Sequence, residues 1–135
     1  MMTATDRQFL FDLRKALLHL HKTLLDWERA AYERIHGRAS ASELLKAIVE
    51  DPQFGWLRPI SELIVQIDQT VDTELPESGA EVEAIVARAR TVTAADEAGP
   101  PHAQRYHTAL QEHPDAVFAH RDVTSVLKGR EPRAS

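Results

Sequence analysis

The chain has 135 residues, 43% of them hydrophobic, no cysteine, and a net charge of -5 at pH 7. One domain of that size buries a core without disulfides or a structural metal, and the missing cysteines remove thiolate metal sites, cysteine nucleophiles and redox pairs. The acidic balance argues against general affinity for nucleic-acid backbones, which needs clustered Lys and Arg; no apolar run reaches the length of a membrane span or a signal-peptide core, so a cytoplasmic protein is expected.

Thr5-Asp6-Arg7-Gln8 has the form of a capping box, so a long helix is predicted to begin there. Its apolar residues Leu10, Leu13, Leu17, Leu20, Leu24, Trp27 and Ala31 step by threes and fours, the seam of a helix packed nearly parallel to its neighbours, and Gly37 is the natural stop. Ser40-Ala41-Ser42-Glu43 repeats the box and opens a short helix whose inward face is predicted to be Leu44, Leu45, Ile48 and Val49, ended by Asp51-Pro52. Gln53 to Arg58 reads as an apolar turn, and Pro59 suits the first position of a third helix with the seam Ile60, Ile64, Ile67 and Val71, closed by Pro76. Ser78-Gly79-Ala80-Glu81 opens a fourth helix carrying Val82, Ile85, Val86, Ala89 and Val92 on one side. Breaks at Ala98-Gly99-Pro100-Pro101 and His113-Pro114-Asp115 leave two shorter helical segments, around Tyr106 to Leu110 and Val117 to Leu127.

Strand signals are missing, and nothing repeats at a solenoid period. The expected architecture is all-α, an antiparallel bundle of one long N-terminal helix plus three to five others, spanning residues 1–128 with a flexible tail over 129–135.

The first helix carries a second row, Phe11, Arg14, Leu18, His21, Leu25, Glu28 and Tyr32, that mixes apolar and polar residues. Two apolar rows imply neighbours on more than one side, so Arg14, His21 and Glu28 are expected partly inside, where charge must be paired. One reading makes them a hydrogen-bonded polar set, with Asp68, Asp72 and Glu62 as partners. The other makes His21 and Glu28 metal ligands, or His21 an axial haem ligand, joined by His107 or His120 from the histidine-rich C-terminal third. Seven residues span roughly 10 Å of helix axis, too far for His21 and Glu28 to share one ion, and the spacings among His102, His107, His113 and His120 form no clean helical chelate.

Trp56-Leu57-Arg58-Pro59-Ile60-Ser61-Glu62-Leu63 is the most distinctive string. Trp56, Arg58 and Glu62 can form a binding surface, Trp and Arg being residue types that anchor interfaces; alternatively Trp56 and Phe54 plug the end of the bundle. Phosphate loops, nucleophile elbows, zinc-protease helices and EF-hand loops are absent.

With Leu17-Leu18-His19-Leu20-His21-Lys22, that string resembles uncharacterised bacterial helical proteins sharing W-L-R-P-x-S-E-L, over about Phe9 to Leu75. The resemblance implies a bacterial origin and a bundle fold and carries no assigned activity. A looser similarity to haemerythrin-like bundles lacks that family's H-x-x-x-E and H-x-x-x-H pairs. The expected function is therefore a binding protein without catalytic activity or cofactor, meeting a protein partner or a second copy of itself, neither nucleic acid nor membrane. The alternative is a metal- or haem-binding bundle.

Overall fold

Thr3 opens the longest element: its hydroxyl accepts the Asp6 amide at 2.9 Å while Asp6 reaches back to the Thr3 amide. The capping box expected at Thr5 is thus two residues earlier, with a shorter acidic residue in the return position. The computed structural model describes residues 3–72 and 80–130. Helix α1 runs Ala4–His36 and ends at Gly37, whose φ of 80° lies in the region glycine adopts without steric cost. Helix α2 is Ala41–Glu50, capped by Ser40 on the Glu43 amide as predicted. A 3-10 turn over Pro52–Leu57 leads directly into α3, Arg58–Asp72; α4 is Ala80–Val92, α5 Pro101–Glu112 and α6 Pro114–Lys128. No strand occurs among the described residues. The predicted stops and starts at Pro76 and Ser78 lie outside the described residues.

The molecule is an all-α bundle built around α1, which packs along α6 on one side and α3 on the other. The α3 helix runs antiparallel to α1: Arg7 donates to the Val71 carbonyl at 3.2 Å, Arg14 pairs with Asp68, and His21 and Ser61 meet at one cleft. Helix α4 packs on α3, and α5 rests on α6 and the 3-10 turn. Leu10, Leu13, Leu17, Leu20 and Leu24 of the predicted seam are fully buried against the inner residues of α3, Ile60, Ile64, Ile67 and Val71, and those of α6, Ala116, Val123 and Leu127. All five predicted inward residues of α4 are buried as well.

Helix α2 departs from expectation. Only Ala47 is buried, Leu44 and Ile48 are half-buried, and the supposedly inward Leu45 and Val49 stand 64% and 61% exposed. Residues 44 and 48 share one stripe of the helix, and 45 and 49 lie about 100° around the axis. A ten-residue helix resting chiefly on a short turn covers just one stripe. The second row of α1 is likewise split, with Phe11 and Leu18 exposed near its start and Glu28 fully buried further on. Arg130, expected in the flexible tail, is held by Asp6 and Glu83.

Leu20→Ala is expected to lower the unfolding free energy by about 2–5 kcal/mol, whereas Leu45→Ala should change it by less than about 0.5 kcal/mol. Urea denaturation of the two variants measures the contrast, and equal losses would mean that α2 is packed as firmly as α1.

Candidate functional site

Glu28 has no solvent-exposed surface, yet it is a carboxylate on the central helix. Its two oxygens accept four bonds: Gln53 Nε2 at 2.9 Å and Arg105 at 2.7 Å on Oε1, Trp56 Nε1 at 2.7 Å and Arg105 Nε at 3.0 Å on Oε2. The guanidinium therefore grips it with two parallel bonds, the strongest geometry for this pair. Burial by itself pushes the Glu28 pKa up; the donors from Arg105, Gln53 and Trp56 outweigh it and hold the carboxyl below its usual range. Arg105 also lies 4.3 Å over the Trp27 ring, and Trp56 stands edge-on to both Trp27 and Tyr106 with ring centroids 6.3 and 6.5 Å away. The Tyr106 hydroxyl meets His120 Nδ1 at 2.7 Å. Burial raises the phenol's pKa and lowers that of the imidazole, and the ring tautomer sets which of the two donates.

Beside this polar core lies a cleft of about 210 Å³ between α1, α2 and the start of α3. Leu25, Ile48, Val49, Phe54 and Leu57 form its apolar walls, and His21, Arg58 and Ser61 supply its polar groups. The imidazole of His21 has no hydrogen-bond partner among the described residues, and its burial lowers its pKa, which keeps the ring neutral at pH 7. Ser61 turns its hydroxyl to the Arg58 carbonyl at 2.9 Å, and Arg58 gives one nitrogen to the Val49 carbonyl at 3.2 Å. The guanidinium has no carboxylate partner among the described residues.

The residues singled out in the sequence fall into separate places. Trp56 points inward to Glu28, as a plug does, and does not present its ring as a surface anchor. Arg58 faces the cleft, and Glu62 is exposed and pairs with Arg88 of α4 at 3.3 Å. The four residues considered as metal ligands do not converge: Glu28 is saturated by donors, His21 opens on the cleft, His120 is bound to Tyr106, and His107 lies 3.8 Å from Glu97. Among the described residues no three His, Asp or Glu side chains gather as a metal site. Arg14 and Glu28 are instead ion-paired across helices, with Asp68 and Arg105. Arg105 and Gln53 were not legible as Glu28 partners, being 77 and 25 residues away. The one available signal was the Trp56 N–H, a buried donor that needs an acceptor.

No family model, curated protein or solved structure matches the chain. Among the described residues no helix is long and apolar enough to cross a membrane.

Glu28→Ala is expected to cost about 3–5 kcal/mol in urea denaturation, because it strands Arg105 against an aromatic wall. A loss below about 1 kcal/mol would show that water takes over the bonds. Acidification should destabilise in two stages. For His21 and His120 the folded-state pKa is lowered, so unfolded imidazoles take up protons first, and stability declines as the pH falls below about 6.5 until the folded rings also protonate. Glu28 has the opposite form: its contribution is present above the ordinary carboxylate pKa and is lost as pH falls through its lowered folded value. Urea midpoints at pH 7.5, 6.0 and 5.0 check the first stage, which His21→Gln should diminish.

Proposed function

We propose that this protein acts by binding and not by catalysis, and that it docks a protein partner on the face formed by α2, the start of α3 and the second row of α1. The observation that carries the reading is the cleft with its surround. Its volume of about 210 Å³ lies below the 300–1,000 Å³ that holds a drug-sized ligand, so it suits one inserted side chain or chain end. From Val49 at its edge the exposed apolar residues continue beyond it, with Leu45 on α2, Leu18 on α1 and Val65 on α3. With Arg14 opposite Asp68, the antiparallel register sets Leu18 across from the turn of α3 that carries Val65. The bundle does not use these side chains for its own core, and grouped exposed apolar residues mark contact surfaces. The reading includes a cytoplasmic, bacterial setting, supported by the cysteine-free composition and the W-L-R-P-x-S-E-L resemblance.

The test is Leu45→p-benzoylphenylalanine photo-crosslinking in the cells that make the protein, with Glu97 as the control position. A discrete adduct at position 45, absent from the control and lost when Val49→Asp is added, is expected. Its mass tells a second copy, at twice the chain, from another protein. Illumination that yields no discrete adduct at position 45 would remove the docking face.

A further inference from the structure

We propose that the cleft between α1, α2 and the start of α3 is a receptor for one carboxylate carried on a short, branched apolar body. The inference rests on the binding reading above and names the group that enters. Arg14, Arg88, Arg105 and Arg130 each cross to a carboxylate of another element, Asp68, Glu62, Glu28 and Asp6. Arg58, which lines the cleft, has no carboxylate among the described residues and, as Arg7 does with Val71, gives one terminal nitrogen to a backbone carbonyl, that of Val49. That bond ties one nitrogen of the exposed side chain to the end of α2 and leaves its other N–H donors for an acceptor from outside.

The remaining groups narrow the chemistry. The Ser61 hydroxyl gives its proton to the Arg58 carbonyl and so donates nothing to a bound anion, which leaves the charge to Arg58. Among the described residues no protein group uses the His21 ring nitrogens and no buried polar side-chain atom lacks a partner, so these nitrogens keep their exposure through the cleft. One fixed cation with a neutral imidazole matches one negative charge better than the two of a phosphate monoester. A planar carboxylate also suits the fork of a guanidinium. Leu25, Ile48, Phe54 and Leu57 require that whatever bears the charge be apolar directly behind it. A volume of about 210 Å³ admits a body of leucine side-chain size. Two sources carry this chemistry, the free C-terminus of a protein chain and a small branched organic acid.

The experiment is a titration of the full-length protein, labelled with nitrogen-15 and observed by NMR at the Arg58 Nε–H, the His21 ring and the backbone amides. The probes are 4-methylpentanoate, its amide, inorganic phosphate, and a pentapeptide ending in leucine with a free or an amidated C-terminus. The acid is expected to bind with a Kd on the order of 1 mM. It should shift Arg58, His21, Ile48 and Leu57, and bind at least about tenfold more tightly than the amide. Phosphate should leave these signals in place. Arg58→Gln should erase the preference for acid over amide, and Arg58→Lys should keep part of it. Ile48→Trp, which fills the cleft, should stop both ligands and guards against a loosened α2 in the Arg58 variants. If the free-ended peptide reproduces the shifts and the amidated one does not, a chain terminus is the source; response to the small acid alone assigns a metabolite. Equal affinity for acid and amide, shifts mapping away from the cleft, or no binding at 20-fold the expected Kd would each overturn the proposal. A position-45 adduct without acid selectivity leaves docking in place and removes this ligand; acid selectivity without an adduct does the reverse.

Discussion

The arrangement of this bundle depends on one buried carboxylate. An ionised Glu28 in the last third of the longest helix is tolerated only because three side chains from two other elements donate to it: Gln53 and Trp56 from the 3-10 turn and Arg105 from α5. Isolated, such a charge would be far costlier to bury than any single apolar contact could offset. Elements distant in the chain are therefore locked to α1 at the same point and by the same atoms. The turn is short and continuous with α3, so fixing Trp56 also fixes the direction in which Leu57 and Arg58 leave it. The cleft at Arg58 is in this sense a by-product of the polar core beside it.

The long helix divides its surroundings unevenly. Near its start α3 and α6 flank it and leave Phe11 and Leu18 at the surface, while further along the turn and α5 close over Glu28. The boundary between the exposed and the enclosed half falls at His21, which is why a half-buried imidazole stands where the outer apolar row meets the cleft. Nearby α2 is held by one stripe and directs its other apolar stripe outward. An element held by one stripe opens more readily than the core it rests on.

Most of the helical layout was legible in the sequence because caps and apolar steps are local signals. Ser40, Gly37 and the seams of α1, α3 and α4 do what their spacing implies. Where local signals compete, the reading slips, as at the start of α1, where Thr3 and Thr5 both have cap chemistry and the acidic residue three positions on selects Thr3. Leu45 and Val49 were misread because periodicity reports which side chains share a face and does not report whether anything covers it. The site was legible only in its odd residues. His21, Glu28, Trp56 and Arg58 stand out as polar or amphipathic groups in apolar surroundings, but the separation of Trp56 from Arg58, one turned to Glu28 and the other to the cleft, is a tertiary fact. The 77-residue span between Glu28 and Arg105 leaves no pattern that a single sequence can display.

Arg130 gives the molecule a polarity. By gripping Asp6 and Glu83 it joins the end of α6 to the beginnings of α1 and α4. Chain leading into α1 and chain leaving α6 thus emerge from the same end of the bundle. His21 lies fifteen residues along α1 from Asp6, about 22 Å away at helical rise. Anything attached at either end, whether a neighbouring domain, a tether or a surface, would hold the protein by its base and leave His21 and its cleft well away from the attachment.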